Sequence, residues 1–114
     1  MKYREVYDIA VVEDCGNIDI PSADSLRTLL IEIIEKESYK KVVINLENTN
    51  SIRSIGIGVL IAAQKKIKSQ GGEIRLCALE DYVKSLVSLA QLDNYFNIYN
   101  TLPEAISAPW EKGE

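Results

Sequence analysis

Histidine is absent from the 114-residue chain. The chain therefore lacks the commonest general base and the commonest metal ligand, and it cannot assemble a Ser-His-Asp triad. The remaining residues show no nucleophile paired with a base and no metal or cofactor motif. We therefore expect a protein that is not an enzyme and that needs no cofactor and no metal.

Cysteine is scarce, with only Cys15 and Cys77, which are far apart and have no CxxC companion. Both lie in apolar stretches, so we expect buried, reduced thiols and no disulfide. The N-terminus lacks the apolar core of a signal peptide, and no apolar run approaches the length that spans a bilayer. These absences favour a cytoplasmic protein without a membrane partner.

A basic excess is also lacking, because the formal net charge is -4 and the pI is about 4.9. Nucleic-acid-binding domains normally carry a clear excess of Lys and Arg, so we expect no nucleic-acid partner. The only basic cluster comprises Lys65, Lys66 and Lys68. We interpret it as a solvated helix face.

Strand-like and helix-like stretches alternate along the chain. Residues 3–7 and 9–14 predict two strands joined too tightly for a crossover, hence antiparallel. After the turn signal at Gly16-Asn17, Pro21-Ser22 opens a helix with Ser22 as the expected N-cap. Its apolar residues have helical spacing and predict the buried face: Leu26, Leu29, Leu30, Ile33 and Ile34.

The second half continues the alternation. Residues 42–46 predict a buried strand, 55–69 a helix, 73–78 a strand with an alternating pattern, and 94–99 a short edge strand. Glycines end the second helix, Asp81 is the expected cap of a third, and a capping box opens the last, which a proline stops. The third helix is expected to bury Val83, Leu86, Val87 and Ala90. The glycines are Gly71 and Gly72, the capping box is Thr101 with Glu104, and the proline is Pro109.

The order β-β-α-β-α-β-α-(β)-α predicts one α/β domain over residues 1–114, with frayed ends at 1–2 and 111–114. We expect a mixed, mostly parallel sheet of four to five strands with about four helices packed largely on one face. Tyr95, Phe96 and Tyr99 are expected to be core residues that seal the sheet edge against the last helix. Trp110 either docks on the core or contacts a neighbour, and the sequence leaves both open.

Ser54 stands where the strand 42–46 and its polar loop meet the helix, and this junction is the candidate site. The structural reading is an N-cap whose oxygen accepts from the N–H of Gly56 or Ile57, worth about 1 kcal/mol. The functional reading is a phosphate acceptor, because a helix N-terminus tolerates negative charge. The two readings are compatible. Residues 48–51 are expected to satisfy turn geometry through side-chain bonds to backbone.

Gly56 and Gly58 each cost about 1 kcal/mol inside a helix relative to alanine. They indicate either tight packing of the helix on the sheet or a flat surface for a partner. They match neither a dinucleotide fingerprint nor a P-loop. Asp14 and Asp19 are the carboxylates expected nearest this junction, but the sequence places no third ligand for a metal.

These blocks together resemble the STAS domain of bacterial anti-sigma factor antagonists. The similarity runs from about residue 9 to 106. It includes Gly16-Asn17-Ile18-Asp19 before the first helix, strand 42–46, the segment 54–60 with its serine and two glycines, and Gly71-Gly72 before the next strand. The third-helix region, 78–92, resembles that of the family as well.

The resemblance implies a signalling switch rather than an enzyme. In the family, the unphosphorylated protein binds an anti-sigma factor that is also a serine kinase, phosphorylation of one serine breaks the complex, and a serine phosphatase restores it. That serine corresponds to Ser54. The expected partner surface comprises Asp19, Asn50, Ser51, Arg53, Ser54, Ile55, Gly56, Ile57 and Gly58.

Two residues depart from the family pattern. Arg53 replaces an aspartate just before the serine, and Ile55 replaces a serine or threonine just after it. Arg53 either repels a kinase that expects an acid or pairs with the phosphate once it is formed. The departures favour an alternative function, a STAS scaffold or oligomerisation module that works without phosphorylation, and a homodimer is left open.

Overall fold

The sheet has five strands in the order β1-β2-β3-β4-β5, in a computed structural model that describes residues 1–110. Only β1 and β2 pair antiparallel, and every later pair is parallel. This confirms the predicted mixed, mostly parallel sheet. The strands are β1 (Lys2–Val6), β2 (Ile9–Glu13), β3 (Lys41–Asn45), β4 (Glu73–Cys77) and β5 (Asn97–Tyr99).

Within residues 1–110, four α-helices follow the strands, as predicted. A π-helical turn, Glu32–Lys36, prolongs the first, and a 3-10 turn, Leu92–Asn94, precedes β5. The predicted tail 111–114 lies outside the described residues, whereas Lys2, expected to fray, pairs with Glu13 in the first strand. The helices are α1 (Ile20–Ile31), α2 (Ser54–Ser69), α3 (Asp81–Leu89) and α4 (Leu102–Ser107).

The two faces of the sheet carry separate apolar clusters, because side chains alternate along each strand. The larger cluster joins α1, α2 and α3 to one face through residues such as Leu26, Leu60 and Val83. The smaller one places Ala105 of α4 over the other face. The helices therefore pack largely on one face, with α4 alone on the second.

The N-cap of helix α1 lies three residues before the predicted one, Ser22. Asp19 is the N-cap: its Oδ1 accepts from the N–H of Ser22 at 3.1 Å, and its own N–H donates to Ser22 Oγ at 2.8 Å. The prediction of Ser22 as N-cap was wrong because Ser22 supplies the reciprocal half of this capping box. Pro21 fits inside the first turn, where its missing N–H has no intrahelical partner to lose.

The other helix boundaries depart less from the sequence pattern. Gly71 has φ +82° after α2, as the predicted stop requires. Glu80, not Asp81, is the N-cap of α3, and Ala90 is exposed rather than buried. The Thr101 capping box of α4 is confirmed, with Glu104 N–H donating to Thr101 Oγ1 at 3.3 Å.

The edge near β5 is less apolar than predicted. Phe96 is buried and Tyr99 half-buried, but Tyr95 is 47% exposed, so the prediction of a buried Tyr95 was wrong. Its backbone carbonyl, which accepts from Gln64 at 2.7 Å, is the part of Tyr95 that anchors this segment. Both cysteines, Cys15 and Cys77, are buried and free, which confirms the predicted thiols.

Arg75 is a buried charge on the α4 face of β4, at 1% exposure. Its guanidinium donates to the carbonyls of Ala105 (2.9 Å), Ala108 (2.8 Å) and Pro109, and it lies 3.6 Å from the ring centre of Trp110. Trp110 therefore docks on the domain, which decides between the two alternatives that the sequence left open.

Candidate functional site

The candidate site lies at the edge of the sheet where the parallel strands end. Ile18 and Ile52 form an isolated parallel bridge between the loop after β2 and the loop after β3. The N–H of Ile18 donates to Ser51 O at 3.0 Å, and the N–H of Arg53 donates to Ile18 O at 2.8 Å. These bonds hold the start of α2 beside the start of α1.

Asn17 fastens the polar loop that precedes Ser54. Its Oδ1 accepts from the backbone N–H of Asn50 at 2.8 Å and of Ser51 at 3.2 Å. The sequence predicted that this loop satisfies its own turn geometry, but these bonds come from a side chain 33 or more residues away. Only a turn signal at Gly16-Asn17 pointed to Asn17, and that signal gives no partner.

Ser54 is the first residue of α2 and does not cap it. Arg53 is the N-cap, with extended φ -84° and ψ 160° and without a side-chain cap bond. The N–H groups of Gly56 and Ile57, predicted partners of Ser54 Oγ, both donate to Arg53 O, at 2.9 and 3.2 Å. The N-cap prediction for Ser54 was therefore wrong. The bond from Arg53 to Ile18 keeps Arg53 extended, so Arg53 is the N-cap and the helix starts at Ser54, one residue earlier than predicted.

The Ser54 hydroxyl is exposed and makes no hydrogen bond within residues 1–110. The N–H groups of Ser54 and Ile55 precede the first helical bond, at Gly56. The first turn carries no acid, so the positive end of the helix dipole is not offset from within the helix. This hydroxyl is thus open to an enzyme, and its surroundings tolerate an anion.

Asp19 and Arg53 interact electrostatically across the two loops. Hydrogen bonds from the backbone and hydroxyl of Ser22 hold the pKa of Asp19 below its usual range, and the charge of Arg53 lowers it further. The Asp19 side chain is exposed, so its carboxylate remains accessible while it caps α1. Asp14, expected nearby, instead pairs with Lys2 at 3.4 Å.

The two glycines of α2 have different surroundings. A Cβ on Gly56 would lie 2.5 Å from Ile18 Cγ2 and 3.1 Å from Ile52 Cγ1, so Gly56 permits tight packing. A Cβ on Gly58 would meet nothing within 4 Å among the described residues, beyond its chain neighbours and the helix backbone. The packing explanation therefore fits Gly56 and does not fit Gly58.

The remaining predicted residues surround Ser54, and their side chains range from exposed to half-buried. Ile55 is 45% exposed, Asn50 and Arg53 are exposed, and Ser51 is half-buried. Ile57 is half-buried against the core cluster beneath α2. The chain thus brings all of the predicted partner-surface residues to this edge, with Gly58 one helical turn beyond Ser54.

The sequence analysis placed Thr49 in the polar loop 48–51, whose side chains were expected to bond to backbone, and it gave no role to Glu80 at this site. Thr49 is fully buried, and its Oγ1 is the one buried side-chain polar atom without a partner in the part of the chain described. Glu80 begins α3, and the side-chain amide of Asn50 faces its carboxylate. Neither the burial of Thr49 nor the contact between Asn50 and Glu80 has a sequence signal, because both depend on how neighbouring strands place their loops.

Within residues 1–110 no group of three or more His, Cys, Asp or Glu residues is placed to hold a metal ion. No helix of the same residues is both long and apolar enough to cross a membrane. The site therefore consists of a hydroxyl, a helix start and a mixed apolar and charged surface.

This geometry matches a known class of domain. The family model described as the STAS domain matches residues 1–105, so the chain belongs to the STAS domain family. The resemblance seen in the sequence is confirmed.

Named relatives make the likeness more specific. A candidate anti-sigma factor antagonist of Thermotoga maritima is 28% identical over 104 residues, which are 91% of this chain and 92% of that protein. A crystal structure of such a protein from the same organism has a TM-score of 0.86 and 28% identity, and covers 92% of this chain and 90% of that one. The anti-sigma-B factor antagonist of Bacillus subtilis is 29% identical over 87 residues, 76% of this chain and 78% of that protein.

Proposed function

We propose that this protein is an anti-sigma factor antagonist that binds a serine-kinase anti-sigma factor and is released when Ser54 is phosphorylated. The exposed hydroxyl of Ser54 at the first position of α2 carries the proposal. The names of the Thermotoga maritima and Bacillus subtilis relatives support the partner class. SpoIIAA, an anti-sigma factor antagonist of the same fold, is known in a phosphorylated form.

The switch follows from charge and burial. A phosphate on Ser54 adds nearly two negative charges at a helix N-terminus that tolerates them, so the domain stays folded. A partner packed over Ser54 and Ile55 would have to bury that hydrated dianion, which costs several kcal/mol without a counter-charge. A cost of that size lowers affinity more than a hundredfold. A serine phosphatase would then restore binding.

Every residue of the predicted surface has a role in this proposal except Gly56, which is buried against Ile18 and Ile52. Asp19, Asn50 and Ser51 contact the partner from the adjoining loops, and Ile55 and Ile57 supply apolar contact. Gly58 lets the partner approach the helix backbone, because no side chain in the described part of the chain lies over it. Arg53 pairs with the phosphate in the released state, where both groups are hydrated and no partner has to bury them.

Measurement of the intact mass of the protein tests this proposal directly. The protein is incubated with ATP and each serine-kinase anti-sigma factor of its own genome. One kinase should add a single phosphate to the wild-type chain and none to Ser54→Ala. The control is Ser69→Ala, an exposed serine at the other end of α2, which should accept the phosphate as the wild type does. No gain with any kinase would refute the switch.

A second candidate function is a STAS scaffold that assembles without phosphorylation, either with itself or with other proteins. The 45% exposure of Ile55 beside Arg53 favours it, because an apolar residue at this position suits a constitutive interface. Under this alternative, sedimentation would show a stable oligomer, such as a homodimer, whose assembly is the same for wild type and Ser54→Asp.

A further inference from the structure

A chain of hydrogen bonds crosses three consecutive loops at the site edge. Asn17 Oδ1 accepts from the backbone N–H of Asn50 at 2.8 Å. With its amide nitrogen turned to Glu80, the Asn50 side chain donates to Glu80 Oε1 at 2.9 Å and also to Oε2. The loops that follow β2, β3 and β4 are thereby joined, and the surface around Ser54 continues to the start of α3.

Three large apolar side chains are exposed along this continued surface. Ile20, Ile55 and Tyr82 are 62%, 45% and 61% exposed, and each lies at the first or second position of its helix. Helices that follow parallel strands start at the same edge of the sheet, so the three lie at one edge. Apolar groups exposed together and set among polar ones mark protein interfaces.

The α3 end of this surface is acidic. Glu80 and Asp81 directly precede Tyr82, and neither takes part in an ion pair with any residue from 1 to 110. Carboxylates at a helix N-terminus stabilise the helix dipole, which gives both acids a structural role. That role does not account for the exposed ring of Tyr82, which belongs to neither apolar cluster.

We propose that the partner-binding surface extends to Tyr82 and Asp81 at the start of α3, and that this end receives a lysine or arginine of the partner. The inference rests on the proposed function and adds the chemistry of its partner. A basic side chain lays its apolar stem or cation on an aromatic ring and places its charge beside a carboxylate. Charge complementarity with Asp81 therefore selects a partner that is basic at this point.

The two ends of the surface then have different tasks. At the Ser54 end, Ile55 and the exposed Gly58 offer apolar contact beside Arg53, and a phosphate added there would have to be buried by the partner. The α3 end supplies electrostatic steering and persists whether or not Ser54 is phosphorylated. Asn50 joins the two ends, because its backbone lies in the Ser54 loop while its side chain holds Glu80.

Binding to the anti-sigma factor that phosphorylates the chain tests this inference by titration calorimetry. Tyr82→Ala should weaken binding about tenfold or more, as a central aromatic contact does. Asp81→Asn should weaken it by about threefold and make it less sensitive to salt. The matched control is Leu89→Ala, the last residue of the same helix at 82% exposure, which should bind as the wild type.

The outcomes separate the two proposals. A wild-type chain that binds none of the anti-sigma factors overturns the proposed function and this surface together. A wild-type chain that binds, with Tyr82→Ala and Leu89→Ala indistinguishable, overturns the α3 extension alone. Circular dichroism of each variant establishes that it is folded before its affinity is compared.

Discussion

Two glycines near the start of α2, Gly56 and Gly58, need different explanations, one structural and one functional. Gly56 is buried under Ile18 and Ile52, whereas Gly58, two residues later, is exposed to open space. The same residue type therefore has a packing reason at one position and none at the next. A residue that lowers helix stability without serving the fold is a candidate for binding a partner.

Alanine at the two positions should act in opposite directions. Gly58→Ala should raise the free energy of unfolding by about 0.5–1 kcal/mol, because alanine is the better helix former and its methyl meets no clash. Gly56→Ala should lower it by about 1–3 kcal/mol, because its methyl would overlap the fully buried Ile18. Urea denaturation measures both. Equal effects at the two positions would contradict this distinction.

Asp19 makes a pH-dependent contribution through its lowered pKa. Because the folded-state pKa lies below the ordinary value of 3.8, the contribution is present above that value and is lost as pH falls through the folded pKa. Asp19→Asn keeps a capping side chain but loses the charge. Asp19→Asn should therefore have a lower denaturation midpoint than the wild type at neutral pH, and this difference should disappear in acid. Asp24→Asn, an exposed acid in the same helix, should show a smaller change.

Helices and strands were largely predictable, since each has a local pattern. The apolar spacing of α1, the Gly71 stop and the Thr101 capping box are local signals, and they were confirmed. The starts of α1 and α2 were misplaced because the deciding bonds are reciprocal or distant: Ser22 to Asp19, and Arg53 to Ile18. The edge that presents Ser54 is thus formed by contacts between loops, which no single segment encodes.

Strand β4 shows the same limit. Its alternating pattern is typical of a half-buried strand, yet all five of its residues are buried. Glu73 and Arg75 lie on the α4 face, where Asn97 Nδ2 donates to Glu73 Oε2 at 2.7 Å and Arg75 lies 3.4 Å from the same carboxylate oxygen. Polar residues that alternate with apolar ones indicate a solvated face only when no later segment covers it.

At the scale of the whole molecule, the two faces of the sheet have different kinds of support. Three helices cover one face with a large apolar cluster, and Gln64 of α2 adds hydrogen bonds to the backbone of Ile74 at 2.9 and 3.3 Å. Among residues 1–110, the other face has only α4 over a small cluster, held by the Arg75 guanidinium. We therefore expect α4 to open before the rest of the domain, since segments with few apolar contacts unfold locally.

The two cysteines report this opening separately, because Cys77 lies under α4 and Cys15 lies in the opposite cluster. Arg75→Met should destabilise the domain by about 3 kcal/mol, since it leaves the Glu73 carboxylate buried without its cation. Thiol labelling under native conditions, read by peptide mass, should then rise more at Cys77 than at Cys15. Adding Glu73→Gln to Arg75→Met should recover part of the stability. Equal labelling of both thiols would mean that α4 opens only when the whole domain unfolds. Ser54 and the contacts of Arg75 with α4 would then belong to one cooperative unit.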